Sequence, residues 1–114
     1  MKTIILDTNF LIYCVKYKID FFSEIDRICN FNYKLSVLSS TIDELEKLKP
    51  SNLNLIKKFV EKLEIINSNI YTDKKLIELS NKDMVIATQD NELKKRINGS
   101  VIIIRQKKYL ELKN

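Results

Sequence analysis

Thr3-Ile4-Ile5-Leu6-Asp7 is the stretch whose reading decides the fold. An unbroken run of β-favouring, apolar residues reads as a strand buried on both faces, the kind found in parallel sheets. A carboxylate follows it directly. Asn9 is then placed to cap a helix over residues 10–18, nearly all apolar at its start and so expected to be buried.

The same strand-to-helix alternation repeats outward along the chain. Asp20 caps a second helix to about residue 30, with Phe21, Ile25 and Ile28 at i, i+4 and i+7. Residues 35–38 read as the second strand. Thr41 opens a short helix to about residue 49. After Pro50, Ser51 caps a longer helix with Ile56, Phe59, Val60 and Leu63 along one face. A short third strand falls at Ile65-Ile66 or at Ile70-Tyr71. A helix over 74–81, a strand over 84–87, a helix over 90–98 stopped by Gly99, and a strand over 101–104 complete the pattern. Residues 105–114 read as a tail with room for a short final helix. Strands joined by helical crossovers are parallel and the crossovers right-handed, which puts helices on both faces. The expected fold is a three-layer α/β/α sandwich with a five-stranded parallel sheet, one domain over residues 1–114.

Composition narrows the chemistry. The 114 residues carry a formal net charge of +5, which favours an anionic partner, nucleic acid being the commonest. A lysine-rich surface is also an ordinary solubility device. Histidine is absent, which excludes Ser-His and Cys-His catalysis and imidazole metal ligation. With Gly99 the lone glycine, no glycine-rich phosphate loop fits. Cys14 and Cys29 lack zinc-site spacing and sit in apolar stretches, so both are expected to be reduced core residues. The apolar run at the N-terminus is too short for a signal peptide, and no window approaches the ~18 apolar residues of a membrane span. A cytoplasmic protein without membrane attachment is expected.

In an open parallel sheet, ligands bind beyond the carboxyl ends of the strands. The acids that fall there are Asp7 after the first strand, Glu44 in the first turn after the second, Asp73 where the helix after the third begins, and Asp90 after the fourth. Each has a plainer reading. Glu44 forms a capping box with Thr41, and Asp73 and Asp90 suit helix N-termini. Asp7 is harder to explain so, because a carboxylate at the end of a buried strand is costly without a partner. Gathered in one crevice, such acids repel unless cations intervene. Hard divalent ions with oxygen ligands, Mg2+ or Mn2+, would compensate, and in a basic protein that combination points to phosphodiester hydrolysis.

These residues resemble a known family. Ile5-Leu6-Asp7-Thr8-Asn9-Phe10-Leu11 looks like the first motif of PIN domains, Asp43-Glu44-Leu45-Glu46-Lys47-Leu48 the second, Asp73 before Leu76-Ile77-Glu78-Leu79 the third, and Val85-Ile86-Ala87-Thr88-Gln89-Asp90-Asn91-Glu92-Leu93-Lys94 the fourth. The resemblance implies a Mg2+- or Mn2+-dependent endoribonuclease. Asp7, Glu44, Asp73 and Asp90 would ligate metal, directly or through water, and Asn9 and Thr88 would support them. Many relatives carry paired acids at the third motif, where this chain has Lys74. The C-terminal Ile104-Arg105-Gln106-Lys107-Lys108-Tyr109-Leu110 resembles archaeal members near the eukaryotic rRNA-processing branch.

Lys74, Lys94, Arg105, Lys107 and Lys108 are candidate RNA-phosphate contacts, and Tyr109 a candidate base stacker. A solvated tail and a helix terminus complementing its dipole are the plainer readings of the same residues. The implied settings are a VapC-type toxin held by an antitoxin and an RNA-processing factor with ribosome-assembly partners, and family members often form homodimers. Two alternatives remain in view. One is a PIN-like module that binds RNA without cutting it, favoured by Lys74. The other is a receiver-like signalling domain, which the first and fourth motifs fit far less well.

Overall fold

The first strand forms because its residues are apolar on both sides of the pleat. The computed structural model describes residues 1–67, 83–97 and 99–114. In it β1 spans Lys2–Leu6, and Ile4, Ile5 and Leu6 are all buried. Alternate residues of a strand point to opposite faces. Accordingly Ile4 and Leu6 pack in one cluster with Phe10, Leu11, Ile25, Leu45, Ile56 and Ile102, while Ile5 joins a second with Ile86, Leu93 and Ile97. Burying one such side chain contributes ~1.5–3 kcal/mol, so a two-sided core holds β1 at the sheet's centre.

The elements follow as α1 (Thr8–Lys16), α2 (Phe21–Ile28), β2 (Tyr33–Leu38), α3 (Ser39–Leu48), α4 (Leu53–Val60), β3 (Glu64–Ile66), β4 (Met84–Ala87), α5 (Asn91–Arg96), β5 (Val101–Arg105) and β6 (Tyr109–Lys113). They build one six-stranded sheet in the order β3-β2-β1-β4-β5-β6. The first five strands in that order are parallel, and β6 runs antiparallel to β5. The apolar sides of α1, α2, α3 and α4 enter the larger cluster, and Leu93 and Ile97 at α5 enter the other. The three-layer architecture expected from the sequence is therefore present, with one antiparallel strand added.

That strand replaces the expected tail. Lys108 N–H donates to the Arg105 carbonyl, and Gln106 and Lys107 between them take φ 53° and 57°. Two successive left-handed residues give the tight turn that matches strand twist. Tyr109-Leu110-Glu111-Leu112-Lys113 then alternates, and Leu110 is buried.

Helix starts also differ from expectation. The chain leaves β1 in extended geometry at Asp7, which takes the N-cap position of α1, while Asn9 lies exposed inside the helix. β2 runs straight into α3 with Leu38 at the N-cap, so Thr41 is the third helical residue and no Thr41–Glu44 capping box forms. Asn52, not Ser51, sits at the cap of α4. α5 ends at Arg96, and Gly99 does not take positive φ. Of the two options for the third strand, Ile65-Ile66 lies in β3. Ile70-Tyr71 and the expected 74–81 helix lie outside the described residues.

Candidate functional site

Strand order fixes where a site can form. From β1 the chain moves one way to β2 and β3, then returns to β4 on the other side of β1. The β1–β4 boundary is thus the switch point, and open parallel sheets bind ligands beyond the carboxyl ends of the strands at such a point. Asp7 and Thr88-Gln89-Asp90 are the residues that leave β1 and β4.

One buried hydroxyl joins them. Thr88 is fully buried. Its Oγ1 donates to Asp7 Oδ2 at 3.0 Å and accepts from the Asp90 backbone N–H at 3.0 Å. A hydroxyl offers one proton and two lone pairs, so a single group can serve both neighbours. Backbone bonds brace the same corner: Asp7 N–H to the Ala87 carbonyl at 2.9 Å, and Thr88 N–H to the Ile102 carbonyl at 3.1 Å. Gln89 Oε1 accepts from Ile104 N–H at 2.8 Å, tying the loop to β5.

Asp90 caps α5. Its Oδ1 accepts from the backbone N–H groups of Glu92 and Leu93 at 3.0 and 3.2 Å, and Oδ2 has no hydrogen bond among the described residues. Its side chain makes no ion pair among them either. The Asp7 side chain does not cap α1 and turns to Thr88 instead. Both carboxylates stand at helix N-termini, where the dipole favours negative charge.

The other expected residues fall as follows. Glu44 is exposed on α3, in its second turn rather than its first, and makes no hydrogen bond or ion pair among the described residues. It follows Thr41 by three positions, so the two share a side of the helix. Thr41 is buried, and Thr8 Oγ1 donates to its Oγ1 at 3.1 Å, which fixes α3 against the start of α1. Asp73 and Lys74 lie outside the described residues. Among the described residues no three Asp, Glu, Cys or His side chains stand close enough to share one ion. The structure therefore links Asp7 and Asp90 through Thr88, and Glu44 is exposed on α3.

The basic candidates divide. Lys94, Lys95, Arg105 and Lys113 line an open groove of about 680 Å³ that begins at Asn91, beside Asp90. Arg105 is paired there with Glu111 at 3.0 Å, so its charge is partly answered. Lys107 holds its ammonium 5.5 Å from the Tyr17 ring centre, and Lys108 is exposed in the hairpin turn. Tyr109 is half exposed on β6. An apolar cavity of about 660 Å³ between α2 and α4, lined by Phe21, Phe22, Leu55 and Phe59, contains none of these residues. Cys14 is buried at its edge, its thiol pushed up to about 12 by burial, which makes it chemically inert.

Known proteins resemble this chain in sequence and in fold. A family model described as "PIN like domain" matches residues 4–107. Ribonuclease VapC4 of Methanocaldococcus jannaschii is 38% identical over an alignment of 128 residues that covers 98% of this chain and 97% of that protein. The solved structure of the PIN domain endonuclease Utp24 superposes with a TM-score of 0.76 at 24% identity, covering 97% of this chain and 90% of that one, a likeness of fold.

Proposed function

Since the chain belongs to the PIN-like domain family, we propose that it is a metal-dependent endoribonuclease acting at the β1–β4 edge. The single observation that carries the reading is the Asp7–Thr88–Asp90 linkage. One buried hydroxyl holds two carboxylate-bearing residues, far apart in sequence, at the switch point of the sheet.

Asp7 and Asp90, with Glu44 and Asp73, would hold Mg2+ or Mn2+. The donor set fits, because carboxylate and hydroxyl oxygens suit hard cations and the chain has no histidine. When bound, such ions lower the pKa of a water and offset charge developing on a phosphate. The chain's own residues do the positioning. Thr88 fixes the rotamer of Asp7, and the α5 N–H groups orient Asp90 through Oδ1. The basic groove from Asn91 to Lys113 gives the RNA backbone a path to that edge, with Lys94 and Arg105 on its wall. Lys74 would add a cation near the phosphate. Ribonuclease VapC4 makes the toxin setting, restrained by an antitoxin partner in the cytoplasm, the better supported of the two.

Substitution to asparagine isolates charge from capping, since Asn caps a helix about as well as Asp. Asp90→Asn and Asp7→Asn are expected to bring cleavage of single-stranded RNA in MnCl2 below detection. They should also remove the upward shift in melting temperature that Mn2+ gives the parent, with the fold intact by circular dichroism. Cleavage persisting in both variants would overturn the proposal. A parent that binds RNA equally with and without metal and cuts none would establish the non-cleaving module instead.

A further inference from the structure

α1 was expected to be buried, yet its outer side carries a stack of aromatic rings flanked by lysines. Tyr13 and Tyr17 stand one turn apart, with ring centres 5.9 Å apart and planes 8° from parallel. Tyr13 is 37% exposed, while Tyr17 packs partly against the core. Lys16 Nζ lies 5.7 Å and Lys107 Nζ 5.5 Å from the Tyr17 ring centre. The patch thus draws on two elements far apart in sequence, α1 and the β5–β6 turn.

The helix that carries the stack begins at the site, with Asp7 at its N-cap. Asn9 and Tyr13 are spaced i and i+4 along one side of α1, and Tyr17 follows at its C-cap. At a rise of ~1.5 Å per residue Tyr13 stands about 9 Å along the helix from Asp7. The hairpin turn adds a second observation. Gln106 and Lys107 both take positive φ, a conformation that costs a non-glycine residue roughly 1–2 kcal/mol. Glycine would relieve that cost at position 107, but it would remove the ammonium that stands over Tyr17.

We infer that this face, Tyr13 and Tyr17 with Lys16 and Lys107, is a stacking track for the unpaired bases of a single-stranded RNA whose scissile phosphate lies at Asp7 and Asp90. The inference rests on the nuclease reading for its second half alone. Flat aromatic rings accept any base, and lysines beside them neutralise the phosphates between bases, the combination by which proteins grip single strands. A duplex, its bases already stacked, has nothing to offer Tyr13.

The test measures binding of a fluorescein-labelled twelve-nucleotide oligouridylate by anisotropy in EDTA, so that no cutting intervenes. Tyr13→Ala is expected to raise Kd about tenfold, and Tyr13→Phe to restore the parent value. Lys107→Gly, which suits the turn's backbone, is expected to lower the salt dependence of log Kd by about one charge. A duplex of the same length should bind with the same Kd to parent and Tyr13→Ala. The same variants in MnCl2 should show KM raised by the factor seen in Kd. No binding by the parent, unchanged binding by Tyr13→Ala, or an equal loss with Tyr13→Phe would overturn the track. So would loss with Lys107→Gly alone, which marks a plain charge patch for another polyanion. If Tyr13→Ala loses binding while the parent cuts no RNA, the track stands and the nuclease reading falls. If the parent cuts with a KM that Tyr13→Ala does not change, the reverse holds.

Discussion

Carboxylates are held in opposite ways at the β1–β4 boundary and at the outer edge of β6. At β6, Glu24 on α2 faces Arg27, with Nε–Oε2 at 3.0 Å, and its Oε1 also accepts from the Leu110 backbone N–H at 2.9 Å. Arg27 Nη2 donates in turn to the Leu110 carbonyl at 3.0 Å. One ion pair so occupies the outward N–H and carbonyl of Leu110 on an edge strand, groups that would otherwise be open to another chain. At the β1–β4 boundary the donors to the Asp90 side chain among the described residues are neutral backbone N–H groups. A carboxylate answered by a guanidinium has its charge satisfied within the fold. Neutral donors orient a carboxylate but leave its charge to act on a ligand.

The largest effect expected from breaking this contrast is at Thr88. Thr88→Val keeps the shape and removes the hydroxyl, so Asp7 loses an orienting bond and the Asp90 N–H loses its acceptor. RNA cleavage should fall ~10–100-fold, the usual cost of losing a group that orients a metal ligand. Stability should fall by ~1 kcal/mol, read by urea unfolding of the same preparation. Cleavage at the parent rate would separate Thr88 from the site.

Glu24 supplies the opposite case. Glu24→Gln should cost ~1 kcal/mol of stability, given the partial exposure of the pair, and leave kcat and KM unchanged. The pH dependence has a definite sign. The hydrogen bond from Arg27, then that from Leu110 N–H, holds the Glu24 carboxyl below the usual carboxylate range. Its contribution is therefore fully present above the unfolded-state value of about 4.3, and is lost as pH falls through the lower folded value. The stability gap between parent and Glu24→Gln, measured across acid titrations, should close in that window. A gap that widened with acid would show that the pair does not behave as an ion pair.

The smallest effect concerns an acid that only caps. Asp20 accepts from the Ser23 hydroxyl at 2.8 Å and from its backbone N–H at 3.2 Å, and these bonds, the hydroxyl foremost, hold its carboxyl low. Asp20→Ala should lower stability by ~1 kcal/mol or less with cleavage intact. A change in cleavage larger than twofold would mean that α2 communicates with the β1–β4 edge.

How legible each feature was depended on the range of the interactions that make it. Two-sided burial of Ile4, Ile5 and Leu6, of Val85, Ile86 and Ala87, and of Ile102, Ile103 and Ile104 is written as apolar runs, so those strands could be read directly. β6 also carries a period of two, with Leu110 and Leu112 apolar, but its turn lacks glycine or asparagine and sits among lysines, which hid the hairpin. Thr41 looks like a cap in its local sequence because its partner, Thr8, is 33 residues away. Tyr13 and Tyr17 were visible as an i, i+4 pair, yet nothing local sets them on an exposed side.

By itself the sequence determined the strand-then-acid-then-helix alternation, and hence a parallel sheet with Asp7 and Asp90 at strand ends. Periodicity and apolar runs are local properties that any short window contains. Tertiary structure alone decided that one threonine hydroxyl serves both acids, that Glu24 and Arg27 meet the β6 backbone at Leu110, and that Lys107 comes to rest over Tyr17. Those pairings join residues 81, 86 and 90 positions apart. Their geometry depends on the packing of whole layers, which no short stretch of chain encodes.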